Sequence, residues 1–298
     1  MKVLVTGSSG LVGGAIAACL SADGHEVIGL SRHPTGEADR LPNAIAADIG
    51  AAGVASMLAA ELPRCDAIVH AAAALERDPY APSISLTNCL GTQQVLELAA
   101  RWGVESLVYL SSVPVIGSPF ELPVTERHPV GPRSAYHASK LYGEQLLAVA
   151  RRDGLATVSL RLSAPVGPGM PAARLLPTFV ARALSGEALE VLGDGTRGQD
   201  YVDTRDVAAA VKAALARRAT GLFNVASGRC VTNLELARRC VSALDSSSEV
   251  SLSGTPDPED GVRWEVSIAL AESELGYRPR HSLEDSIAAV AEGLRPVD

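Results

Sequence analysis

The sequence predicts an α/β protein in which a doubly wound parallel sheet is followed by a smaller mixed α/β C-terminal part. Two observations point there first: short apolar runs alternate with longer helix-period patterns through the first half, and a glycine-rich turn joins the first run to the first helix. A third sets the boundary. After residue 162 the rhythm changes, and Pro165, Gly167, Pro168, Gly169 and Pro171 fall close together.

Taken in order, residues 2–6 form an apolar run, and a helix is expected over 11–22. Further apolar runs follow at 25–30, 44–47 and 67–70, each flanked by turn or helix signals. Residues 84–102 read as a helix, 106–111 as a buried strand, 134–152 as a helix and 156–162 as a strand. Strands alternating with helices imply right-handed crossovers and a sheet covered on both faces. Beyond the proline cluster, 174–185 and 206–217 are helical, 189–192 is short and extended, and 222–226 is apolar enough for one more sheet strand. Thr232 with Glu235 three residues on predicts a capping box opening a helix over 232–244. Residues 246–261, rich in Ser, Pro, Asp and Gly, are expected to be loop-rich, and a Ser-x-x-Asp cap opens a last helix over 282–292. There is no internal repeat.

Composition narrows the function classes. A chain of 298 residues with 47% hydrophobic and 20% charged residues is an ordinary globular one. Its net charge of −8 and the lack of any basic run argue against nucleic acid. Five scattered cysteines (Cys19, Cys65, Cys89, Cys230, Cys240) have no metal spacing, so no metal site is expected and the thiols are read as reduced. No run is long enough for a membrane helix, and the N-terminus lacks a signal-peptide pattern, so a cytoplasmic enzyme is expected.

The turn Gly7-Ser8-Ser9-Gly10-Leu11-Val12-Gly13 lies directly between the first strand and the first helix. Glycines there let the backbone approach a pyrophosphate, which then sits on the helix N-terminus. The spacing is G-x-x-G-x-x-G, and by itself it is also compatible with a plain tight turn. Its position makes a Rossmann-type dinucleotide site the stronger reading. At the end of the second run stand Ser31 and Arg32. An arginine can pair with a 2′-phosphate where NAD binders usually carry an acid, which favours NADP over NAD; the alternative is a solvated arginine beside NAD. Asp48 can hydrogen-bond the adenine amino group or cap a helix, and Ile49 is grouped with it as cofactor-binding. Residues 1–162, with 203–227 returning to them, are therefore expected to form the dinucleotide-binding domain, and 163–202 with 228–298 the substrate-binding domain.

Tyr136 and Lys140 stand four apart on a helix, so they share a face. A free phenol is a poor base at neutral pH, and an ammonium group one turn away is expected to lower its pKa. With six tyrosines and three lysines in the chain, about 0.06 such pairs are expected by accident. Ser111 and Ser112 end a strand whose carboxyl edge faces the ligand crevice, so a hydroxyl there can orient a substrate oxygen; the alternative is a turn former. His70 reads as a residue of the sheet, and His137 has no identifiable partner.

Together the segments TGSSGLVGGAIAACL, DAIVHAAA, NCLGTQQVLELAARWGVESLVYLSS, SAYHASKLYGEQ, RLSAPVGPG, VLGDGTRGQDYVDTRDVAAAV and ELGYRPRHSLEDSI resemble the extended short-chain dehydrogenase/reductases of the nucleotide-sugar epimerase/dehydratase type, along nearly the whole chain. The resemblance implies that Ser112, rather than Ser111, joins Tyr136 and Lys140 as catalytic, with Asn88 as an active-site asparagine. It sets Ala71, Ala72 and Ala73 along the cofactor and Pro165 and Val166 beside the nicotinamide amide. It also implies a homodimer through a four-helix bundle of the Asn88 and Tyr136 helices.

Departures from the family pattern are informative. Val113 and Pro114 stand where 4,6-dehydratases carry an Asp-Glu pair, so that reaction is not expected. Ile116 replaces a tyrosine. Gln199, rather than arginine, precedes Asp200-Tyr201; Arg197 and Arg263 become the candidates for a substrate diphosphate, with Arg174 and Gln199 as further substrate contacts. The resemblance implies hydride transfer at a sugar carbinol carbon, most often C4. The expected enzyme is a nucleotide-sugar epimerase; the alternatives are an NADPH-dependent 4-keto-sugar reductase and, from another class, a non-catalytic redox sensor.

Overall fold

The computed structural model describes residues 1–33, 43–76 and 78–294. In chain order the strands are β1 (Lys2–Thr6), β2 (Glu26–Ser31), β3 (Ala44–Ala46), β4 (Ala67–His70), β5 (Ser106–Ser112), β6 (Thr157–Leu162), β7 (Ala164–Val166), β8 (Leu189–Val191), β9 (Gly198–Asp203), β10 (Gly221–Val225), β11 (Cys230–Thr232) and β12 (Val250–Leu252). The helices are α1 (Leu11–Ala22), α2 (Val54–Glu61), α3 (Gly91–Trp102), α4 (Ala135–Arg152), α5 (Leu175–Ser185), α6 (Thr204–Ala216), α7 (Asn233–Ala243) and α8 (Leu283–Leu294).

Seven strands form one parallel sheet in the order β10-β6-β5-β4-β1-β2-β3. Their central runs are apolar on both faces because helices cover both. On one side Ile16 and Leu20 of α1 meet Val207 and Val211 of α6. On the other, Leu58 of α2, Leu98 of α3 and Leu147 of α4 pack together. Strand order reverses between β1 and β4, so the crevice for a ligand opens at their carboxyl ends, beside Gly7 and Ala71.

A separate apolar cluster gathers α5, α7 and α8 around Phe179, Leu236 and Ile287, beside two small sheets, β11-β9-β7 and β12-β8. Among the described residues, no helix is long and apolar enough to cross a membrane.

Several elements depart from the sequence reading. The helix expected over 84–102 begins as a wider π-helical turn, Ile84–Leu90, before α3. The loop-rich stretch 246–261 contains β12, which pairs in parallel with β8. Helix α2 and strands β7, β9 and β11 escaped the apolar pattern. In β9 the reason is visible: Asp200 and Asp203 are buried polar residues, satisfied by hydrogen bonds instead of by apolar neighbours. The Thr232 capping box forms as expected.

Candidate active site

The glycine turn is built by close approach. Gly7 has φ +72°, and a Cβ there would lie 2.7 Å from the Ala72 backbone. A Cβ on Gly13 would lie 2.1 Å from the Gly7 carbonyl oxygen, so only glycine lets α1 close onto the turn. A cavity of about 390 Å³ runs from Gly7, Ser9 and Gly10 past Ala71, Ala72 and Ala73 to Asp48, Ile49, Ser31 and Arg32. The Ser31 hydroxyl is buried with no hydrogen-bond partner, a group that a ligand in this cavity could satisfy. Asp48 also makes the competing turn contact, its Oδ1 accepting from Gly50 N at 2.9 Å. Two expected contact residues act by packing instead: Val12 leans on the core and Gly13 on the turn, and neither lines the cavity. Leu11 faces the next cavity along.

That second cavity, of about 860 Å³, brings Ser112, Tyr136, Pro165, Val166, Arg174, Arg197 and Gln199 together. Tyr136 comes from the first turn of α4, capped by the Ser134 side chain, which accepts from His137 N at 3.2 Å. A Cβ on Gly143 would strike the Tyr109 ring, so α4 lies directly against β5. The Lys140 ammonium donates to the Leu110 carbonyl at 2.8 Å and sits 5.0 Å and 5.8 Å from the Tyr109 and Tyr136 ring centroids. Both rings turn a π-face toward the cation, which offsets part of the desolvation of a fully buried ammonium.

The electrostatics correct one expectation. Burial lifts the Tyr136 phenol to about 12, and the charge that opposes this is Arg174 rather than Lys140. Lys140 is itself desolvated and is pushed down to about 8, with Glu144 pulling the other way. Its ammonium is bonded to Leu110 on the sheet side, and burial dominates at the phenol.

The two serines separate by strand alternation. Ser111 points under α4 and donates to Glu144 Oε1 at 2.6 Å, while Glu144 holds Arg161 through bonds of 2.9 and 2.8 Å. Ser112 faces the cavity. Asn88 does not line either cavity: its amide accepts from Ala74 N at 2.7 Å and donates to Ala74 O at 3.0 Å and Ser139 Oγ at 2.9 Å. It ties the cofactor-side loop to α4, a positioning task rather than a contact with reacting atoms.

Arg263 falls outside the cavity. It pairs with Glu265 at 2.9 Å on the surface, because its backbone bridges to Gly198 at the edge of the small sheet. Arg197 lines the cavity while held by Asp257 at 3.8 Å and Glu259 at 2.5 Å. His137 and Asn233 are among the lining residues that the sequence does not assign to the site. His137 faces the cavity and does have partners, Ser134 Oγ at 2.8 Å and the Tyr136 ring at 5.1 Å. Asn233 follows the Thr232 cap, and its buried Oδ1 has no partner. The only sequence signal for either was adjacency to a recognised motif. His70 is the sheet residue expected, bonded to Thr6 and Thr92 at 2.8 and 3.1 Å and pushed down to about 3 by burial.

Comparison with known proteins shows the family and the fold. The family model described as NAD dependent epimerase/dehydratase family matches residues 3–226. A UDP-glucose 4-epimerase of Mycolicibacterium smegmatis is 32% identical, covering 99% of this chain and 99% of the relative. A dTDP-glucose 4,6-dehydratase of Streptomyces niveus is 31% identical over 77% of this chain and 70% of its own length. Among solved structures, UDP-glucose 4-epimerase of Thermus thermophilus in complex with NAD superposes with a TM-score of 0.85 at 29% identity, covering 98% of both chains. With its Rossmann-type sheet and nucleotide crevice, the chain belongs to the NAD dependent epimerase/dehydratase family.

Proposed function

We propose that the protein is a nucleotide-sugar 4-epimerase using a nicotinamide dinucleotide. One observation carries the reading: Tyr136 and Ser112 face one cavity, and Lys140 is bonded directly behind the tyrosine. The dinucleotide fits the first cavity on two counts, the cradle that a Cβ on Gly7 would fill and the orphan hydroxyl of Ser31. The turn Gly7–Gly13 would hold its pyrophosphate, Ala71–Ala73 would run along it, and Pro165 and Val166 would flank the nicotinamide. When bound, the nicotinamide supplies hydride exchange at the sugar carbon.

The chain's own groups handle the proton. Tyr136 Oη takes it from the sugar hydroxyl and gives it back to the keto oxygen, which Ser112 Oγ holds by a hydrogen bond. The Arg174 charge lowers the cost of the phenolate. Lys140 keeps a positive charge behind the phenol and would be the residue to hold the nicotinamide ribose. Arg197 and Gln199 receive the nucleotide end. Epimerisation then requires the keto sugar to turn within the cavity before hydride returns. Val113 and Pro114, at the start of the 3-10 turn after Ser112, cannot move a proton, which favours epimerase over 4,6-dehydratase although relatives of both kinds exist. A homodimer through α4 and the Asn88 helix belongs to the same proposal, and light scattering checks it.

Ser31 and Arg32 at the adenosine end favour a second reading, a 4-keto-sugar reductase using NADPH. The deciding experiment incubates the purified protein with UDP-glucose and follows products by NMR, with native mass spectrometry of the retained cofactor. Interconversion of the C4 epimers with retained NAD supports the epimerase. A 4-keto-6-deoxy product, or an empty site that takes up only NADPH, overturns it.

A further inference from the structure

Tyr201 of β9 stands in the wall of two cavities. One is the cavity of Tyr136; the other, of about 210 Å³, is bounded by Arg229, Arg239, Arg280, His281 and Ser282. The chain as a whole carries −8, yet three guanidinium groups gather here against one carboxylate of the wall, that of Glu284. Arg239 is paired with it at 3.0 Å. Among the described residues, neither Arg229 nor Arg280 forms an ion pair.

Both unpaired arginines stand on backbone that is already fixed. The turn before Arg229 is pinned by fully buried Asp200, which accepts from Ser227 N at 2.7 Å, Ser227 Oγ at 2.8 Å and Gly228 N at 2.9 Å. The segment of Arg280 is pinned by buried Asp206, which accepts from Arg280 N at 3.0 Å, His281 N at 3.1 Å and His281 Nδ1 at 2.9 Å. Anchoring of this kind leaves only the two arginine side chains, and not their backbone, to be ordered on binding. The first residues of α8, Leu283 and Glu284, close the cavity with the positive end of a helix.

We propose that this cavity is a second anion site, taking a phosphate group that is free or carried by a small organic molecule. Planar guanidinium forks bond phosphate oxygens in pairs, and Arg229 and Arg280 have their forks uncommitted. The volume admits a phosphate with a small body and is too small for a dinucleotide. The inference does not depend on the reaction proposed above.

Calorimetry on the full chain tests it, with inorganic phosphate and glucose 1-phosphate as probes. Wild type is compared with an Arg229→Ala/Arg280→Ala double variant and with Arg197→Ala, which alters only the catalytic cavity. Loss of two charge-assisted contacts should weaken binding by about tenfold or more in the double variant, while Arg197→Ala retains a saturable site. Equal affinity for the two probes assigns free phosphate, and tighter binding of the ester assigns an organic phosphate. Unchanged NAD affinity in the double variant shows that its fold is intact; should it fail that check, Arg229→Gln and Arg280→Gln singly carry the same comparison. No saturable binding of either probe overturns the proposal, as does binding that survives in the double variant and vanishes in Arg197→Ala.

Discussion

The Lys140 ammonium donates to the Leu110 carbonyl oxygen at 2.8 Å, so the charge behind the proposed catalytic tyrosine is fastened to strand β5 two residues before Ser112. The same bond orients α4 on β5 and holds the cation between two aromatic rings. Fold and chemistry thus meet in one contact.

Because burial brings Lys140 down to about 8, its charge is lost just above physiological pH. The account predicts that kcat/KM falls as pH rises through about 8, read from a pH–rate profile of the free enzyme. Glu144 opposes that fall, so Glu144→Gln moves the alkaline limb to lower pH. The same variant leaves Arg161 buried without its carboxylate and lowers stability by about 3–5 kcal/mol, measured by urea unfolding. The sign for stability is opposite to that for rate. A lysine whose folded pKa is depressed binds fewer protons than in the unfolded chain between about 8 and the ordinary lysine value, so its contribution to stability rises with pH across that window.

Neighbouring serines should behave differently. Ser112→Ala removes a donor facing the cavity and should lower kcat by about 10²-fold or more. Ser111→Ala removes a buried bond to Glu144 and should cost about 1–3 kcal/mol of stability while kcat stays within a few fold. Equal kinetic losses in both would reject the assignment.

Gly13→Ala should lower dinucleotide affinity by about tenfold or more, because the added carbon would lie 2.1 Å from the Gly7 carbonyl and must push the turn open. Fluorescence titration with NADH measures it. Gly24→Ala serves as the contrast: a Cβ there meets nothing within 4 Å, although its φ of +81° carries some strain, so cofactor binding should hold.

His70 predicts acid sensitivity. Its folded pKa is depressed from 6.5 to about 3 by burial between Thr6 and Thr92. The unfolded chain therefore binds an extra proton across that window, and stability falls as pH drops below 6.5, by up to about 1.4 kcal/mol per pH unit. Urea midpoints at pH 7 and 5 should converge more closely in His70→Gln than in wild type.

Much of this is legible in the amino-acid sequence alone. Apolar runs flanked by helix patterns gave β1 to β6 and α1 with little error, because buried parallel strands have few alternatives. Tyr136 and Lys140 were legible because a helix fixes which side chains share a face. Arg263 was not, since only the bridge of its backbone to Gly198 decides that it faces Glu265 rather than the cavity. The resemblance implies Asn88 as an active-site asparagine, whereas the structure commits its whole amide to Ala74 and Ser139. Direction of charge was also beyond sequence: helical spacing brings Lys140 beside Tyr136, but only burial shows which effect wins at the phenol.

The central claim is that Tyr136 carries the proton. Single-turnover reduction of enzyme-bound NAD by UDP-glucose, compared between wild type and Tyr136→Phe, tests it most directly. The account predicts a rate lower by about 10²–10⁴-fold with NAD affinity within a few fold of wild type. A variant that reduces the cofactor at the wild-type rate would contradict it.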